Sequence, residues 1–203
     1  MLRIDESSKT LVAPESSELV PDEALTRDEL HALITAGWEA FAAEIGLPRI
    51  KAVGPVADAD IDLLAMDVDA GRITVVIVGE GAGKSSTGRA LSAAAHVASW
   101  DADRLGALHE LLQGATPGDS PRMLIVGPKF DEDATRLADW LSKSHDMDIS
   151  AFHVEVLRKG GERMMTVQQS YPPLPPAPDI VASIDAKTSA PPPPPPAEPV
   201  EAA

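Results

Sequence analysis

Ile61-Asp62-Leu63-Leu64-Ala65-Met66-Asp67, a turn at Asp69-Ala70-Gly71, and then Ile73-Thr74-Val75-Val76-Ile77-Val78 are the centre of this chain. The first run is apolar with acids at its margins. The second is rich in β-branched residues, which suit a pleated, buried surface. Two such runs across a short Asp/Gly turn predict a β-hairpin whose strands lie deep in a sheet.

Helices and further strands are expected on both sides of it. Downstream, Gly79-Glu80-Gly81-Ala82-Gly83 reads as a loop, and Ser85 to Trp100 as a helix whose many alanines permit close packing. Asp101 can cap a further helix running through Leu112. Met123–Val126 is a third buried strand, and Asp131 to Ser144 is a helix with Ala134, Leu137, Ala138 and Leu141 on one face. Ile149 to Leu157 alternates as a strand, and Gly160-Gly161 turns into a hairpin partner, Arg163–Gln169. Upstream, Thr26 and Glu29 have capping-box spacing, in which each side chain satisfies a free amide near the other. Leu30, Leu33, Ile34, Trp38 and Phe41 follow at helical intervals until Gly46 and Pro48 stop the helix. Residues 1–25 read as a flexible acidic arm with one short strand, 26–171 as the α/β domain, and 172–203 as a Pro-rich disordered tail containing a six-proline run.

Composition narrows the functional classes. The chain has 203 residues, 44% hydrophobic but only 3% aromatic, so its core must be built from Ala, Val, Leu and Ile. It has no cysteine, which excludes disulfides, zinc–thiolate centres and cysteine nucleophiles. The net charge is −15, and residues 31–171 alone carry 20 acids against 13 Lys and Arg. Nonspecific duplex binding depends on cations that neutralise phosphates, so nucleic acid stays a possible partner only through a local basic patch. No apolar run is long enough to span a bilayer and no signal-like segment opens the chain, so a cytoplasmic location without membrane attachment is expected. The Ala and Pro content fits a GC-rich bacterial or phage source. The acidic arm and the proline-rich tail are the expected contacts for a protein partner, and the oligomeric state is left open.

Val78-Gly79-Glu80-Gly81-Ala82-Gly83-Lys84-Ser85-Ser86 imitates a phosphate loop: strand, glycines, Lys-Ser, helix. In a true P-loop, backbone amides wrap the phosphates, the lysine reaches the outer ones and the hydroxyl holds magnesium. Here the spacing is one residue short, and Val78 stands where the first glycine belongs. The strand Met123–Val126 ends in Gly127-Pro128 rather than an acid. Gly79, Gly81, Gly83, Lys84 and Ser85 are therefore the candidate residues of an alternative nucleotide site. The five histidines are scattered without ligand spacing, and Ser85 and Ser86 have no positioned base.

Three stretches in order carry a family resemblance. Ile61–Asp67 with Gly71-Arg72 and the strand behind it resembles the catalytic hairpin of NucS-like members of the PD-(D/E)XK nuclease superfamily. Ala90–Trp100 resembles the alanine-rich helix that follows. Arg122–Val126, Phe130–Asp133, Ala138–Leu141 and Asp148-Ile149 resemble the last strand–helix–strand unit, with Val167–Pro172 as the closing strand. The resemblance covers about residues 27–175. It implies a restriction-endonuclease-like mixed central sheet flanked by helices. It also implies magnesium held by an aspartate on the first hairpin strand and a glutamate on the second, with a lysine two residues on.

Asp62 matches the aspartate. The glutamate position falls on Ile77 or Val78, the lysine position on Gly79 or Glu80, and the polar residue of the next helix on Arg89. One carboxylate is too few oxygen ligands for a hard cation. The expectation is thus a catalytically inactive nuclease-like protein, a binding or structural component of a larger assembly, with no cofactor. The alternatives are a Mg-dependent endonuclease with a migrated acid or a nucleotide binder using Gly79–Ser86. If active, Asp62, Glu80 and Lys84 are its catalytic candidates and Asp62, Glu39 and Glu44 its metal ligands.

Overall fold

The computed structural model describes residues 2–5, 10–12, 20–21, 25–56, 59–80, 84–115, 121–159 and 162–174. Gly81, Gly83, the Gly160-Gly161 turn and the proline-rich tail beyond residue 174 lie outside the described residues, as does the Lys84 side chain.

The central hairpin forms as expected. Strands β5 (Ile61–Asp67) and β6 (Arg72–Val78) pair antiparallel with Leu63 opposite Val76 and Asp67 opposite Arg72. β6 then pairs in parallel with β7 (Arg122–Gly127), and β7 in parallel with β8 (Ile149–Lys159). The β6–β7 crossover contains α3 (Lys84–Ala98), α4 (Ala102–Leu108) and a short 3-10 turn. α5 (Glu132–His145) makes the next crossover. β9 (Glu162–Tyr171) returns antiparallel along β8. Burial on both faces explains why β6 and β7 are almost continuously apolar. The result is α/β, a mixed sheet flanked by helices, with the six strands β4 to β9 adjacent in chain order.

One member of that sheet is invisible in the apolar pattern. β4 (Ile50–Val56) pairs antiparallel with the outer side of β5, although Gly54 and Pro55 interrupt its sequence. The pairing absorbs them through register shifts on either side of Gly54, whose φ is 146°. The first helix also differs from its expected continuous form. It breaks at Gly37 into α1 (Arg27–Ala36) and α2 (Trp38–Glu44). The Trp38 indole then donates to the Ile50 carbonyl at 2.8 Å, tying the break to β4. Instead of a single short strand, residues 2–21 supply three: β1 (Leu2–Asp5), β2 (Thr10–Val12) and β3 (Val20–Pro21). β1 extends the sheet from β9, β2 follows β1, and β3 pairs with β8.

Two cores lie on opposite faces of this sheet. Leu30, Ile34, Trp38 and Phe41 from α1 and α2 pack against Leu63, Val76 and Leu124. Ala90, Ala93 and Val97 from α3 pack against Leu64, Val75 and Ile77, together with Leu141 of α5. Period-two alternation sends successive strand residues to different cores. At the sheet end bearing the β5–β6 turn, the Asp148 carboxylate accepts from Arg72 at 2.7 Å and from Arg122 at 2.9 Å. This links β6 and β7 to the residue just before β8.

Candidate functional site

Asp62 lies near the end of β5 opposite the β5–β6 turn, where α1 and α3 approach the hairpin. It is only 7% exposed. Its Oδ2 accepts from the Val78 amide at 2.6 Å, across the hairpin. Continuing the β5–β6 register by one residue places Ile77 opposite Asp62. Both sequence candidates for the second acid, Ile77 and Val78, are therefore beside Asp62, and both are fully buried apolar residues.

The partners of the Asp62 carboxylate are two guanidinium groups. Arg27 Nη2, from the first turn of α1, donates to Oδ1. Arg89 Nη2, from the second turn of α3, lies 3.4 Å from each carboxylate oxygen. Both arginines also reach the Val78 carbonyl, Arg27 through Nε at 3.3 Å and Arg89 through Nη1 at 3.2 Å. Arg89 holds Asp60 as a two-toothed fork, Nε to Oδ2 at 2.9 Å and Nη2 to Oδ1 at 3.0 Å. His31, one helical turn after Arg27, donates from Nε2 to the Asp62 carbonyl at 2.8 Å. α1 thus grips both the side chain and the backbone of Asp62.

The charges reinforce one another. The hydrogen bonds from Arg89 hold the Asp60 carboxyl below its ordinary range, and the Asp60 bonds, with the nearby Asp62 charge, raise the Arg89 guanidinium. Asp60 has φ 50°, a left-handed conformation that a short polar side chain tolerates.

The other candidates are distributed around this cluster. Glu80 is exposed and lines a cavity of about 310 Å³ with Arg27, Asp60, Ser85, Ser86 and Arg89. Ser85 is exposed in the first turn of α3, whereas Ser86 is buried and packs against Gly79. The Gly79 amide donates to the Val126 carbonyl at 2.8 Å, so it serves the β6–β7 junction rather than pointing free into the loop. Glu39 is 86% exposed on α2 and faces Lys51 of β4 at 3.4 Å; Glu44 is exposed at the end of α2. Neither is among the partners of Asp62 given above. No group of three His, Asp or Glu among the described residues is arranged to hold a metal ion.

These residues do not fit a divalent cation at Asp62. Its carboxylate oxygens face two positive side chains and an amide, and no second carboxylate comes across from β6. Arg89 was legible as an odd residue on the resembling helix; Arg27 was not singled out. Its signal is a cation at the first helical position, where the helix end itself is positive and an arginine is unfavourable unless an acid holds it.

Among the described residues no helix is long and apolar enough to cross a membrane. Comparison with known protein families, curated proteins and solved structures gives no match.

Proposed function

We propose that this chain is a nuclease-like α/β protein that has lost cleavage and acts as a binding or structural component of a larger assembly. The single observation carrying the reading is the pair of buried apolar residues, Ile77 and Val78, where a second metal-binding acid would have to face Asp62. Phosphodiester hydrolysis of the metal-assisted kind needs a seated ion that polarises the phosphate and acidifies its water. A lone carboxylate already engaged by protein donors does not provide that seat. The ordered likeness of the hairpin, the alanine-rich helix and the final strand–helix–strand unit supports the nuclease-like part. The acidic arm and proline-rich tail favour a protein partner in the cytoplasm over a duplex.

The test is incubation of the full chain with single-stranded, branched and mismatched DNA in magnesium and in manganese. No cleavage is the expected result. Turnover that disappears in Asp62→Ala overturns the proposal.

A second reading has one observation in its favour. Ser85 and Ser86, in the first turn of α3, share a cavity with Arg27 and Arg89, a set of donors suited to a phosphate. Asp60 and Glu80 line the same cavity and oppose it. A melting curve unchanged by ATP or GTP dismisses that reading.

A further inference from the structure

We infer that Arg27 and Arg89 are the permanent counter-cations of Asp62, standing where a metal ion would sit in a nuclease-like hairpin, and that the cluster is a metal-independent tie holding α1 and α3 to β5 and β6. The comparison with a metal centre rests on the proposed nuclease-like reading; the tie itself does not.

A hard cation at this end of the hairpin would draw on the Asp62 carboxylate, the Val78 carbonyl and the nearby Asp60 carboxylate. Each already accepts from protein donors. Asp62 Oδ1 takes Arg27, and Oδ2 takes the Val78 amide at 2.6 Å. Arg89 approaches both oxygens at 3.4 Å. The Val78 carbonyl accepts from Arg27 at 3.3 Å and Arg89 at 3.2 Å. Asp60 is taken by the Arg89 fork at 2.9 and 3.0 Å. A divalent ion entering here would have to displace two guanidinium groups and would meet their charge at short range in a poorly solvated place.

The arrangement also explains the residue types. Arginine presents several donors in a rigid plane, so one side chain can bridge a carboxylate and a carbonyl. Lysine has a single ammonium and cannot make the two-toothed contact that Arg89 makes with Asp60. Arg27 begins α1 and Arg89 lies in α3, so the two cations join helices from opposite faces of the sheet to one acid. The tie is therefore a positioning device, with Asp62 as its hub.

The test follows melting temperature and manganese binding, the latter by electron paramagnetic resonance of free Mn2+, on the full chain. The expected results for the unmodified protein are a melting temperature indifferent to EDTA, Mg2+ or Mn2+, and no bound Mn2+ that Asp62→Asn removes. Arg27→Gln and Arg89→Gln should each lower the melting temperature, and Arg89→Lys should restore only part of the loss. The double variant Asp62→Asn, Arg27→Gln should melt above Asp62→Asn alone, because it no longer leaves Arg27 without its buried acid, while Arg89 keeps its fork on Asp60.

Mn2+ bound to the unmodified protein and lost in Asp62→Asn, both read well below the melting temperature of that variant, overturns the inference. So does wild-type melting in both glutamine variants. These outcomes separate from the functional proposal. DNA cleavage that persists in Asp62→Asn would defeat a silent nuclease and leave the tie intact, whereas Mn2+ at Asp62 defeats the tie even where no DNA is cut.

Discussion

Asp62 shows how little a residue's identity says without its partners. From sequence it reads as the one acid that matches a resembled metal site; in the fold it is the buried meeting point of two arginines, an amide and a histidine. An acid in an apolar run demands a partner, but the sequence pointed to a metal ion for that part and not to arginines. Arg27 was not legible as the partner, because it lies 35 residues away and only tertiary structure joins them. Breaking a buried ion pair from one side costs about 3–5 kcal/mol. Asp62→Ala should accordingly lower the melting temperature by roughly 10 °C, measured by calorimetry. Asp60 gives a pH signature. Its carboxyl is depressed in the folded state, chiefly by hydrogen bonding to Arg89. Its contribution to stability is therefore complete above its unfolded value, about 3.9, and is lost as pH falls through the lower folded value. Asp60→Asn should make the acid limb of a melting-temperature profile shallower. An unchanged limb would show that other carboxylates carry it. Asp60 is 72% exposed, so solvent screening keeps this effect small.

Elements were legible where periodicity and end signals agree. The capping box at Thr26 and Glu29 is present with both reciprocal bonds, and Asp131 caps α5 through the Ala134 amide at 2.7 Å. β5 and β6 stand out because they are long, apolar and separated by a clear turn. β4 was missed for the opposite reason. Gly54 and Pro55 read as loop punctuation, yet an edge strand with register shifts accommodates both. The β6–α3 junction gives an element-scale prediction. A Cβ on Gly79 would run into the Ser86 side chain, which is buried beneath it. Gly79→Ala should destabilise by about 1–3 kcal/mol through overpacking. Adding Ser86→Ala should recover part of that in a denaturant titration, since it removes the nearer of the two Ser86 contacts. The glycine that resembled the start of a phosphate loop thus has a packing reason to be glycine.

At the scale of the whole molecule, alternating strand and helix patterns gave the α/β class correctly, and the apolar positions sort into the two cores seen on either face of the sheet. What the pattern could not provide was the strands from residues 2–21, whose pairing partners are at the far end of the chain. The net charge of −15 is also a global property with a consequence. Fluorescence anisotropy with a labelled duplex at physiological salt should find affinity weaker than the ~10⁻⁴–10⁻⁶ M of ordinary nonspecific DNA binders. Tighter, salt-sensitive binding would reveal a cationic surface that offsets the overall charge. β4, finally, is the terminal strand on its side of the sheet among the described residues, and an uninterrupted outer rim there would template the addition of foreign strands. The irregular register around Gly54, and Pro55 with no backbone donor, interrupt that template. Replacing the two with threonines should regularise the rim and promote edge-to-edge polymerisation, visible as growing light scattering below the melting temperature.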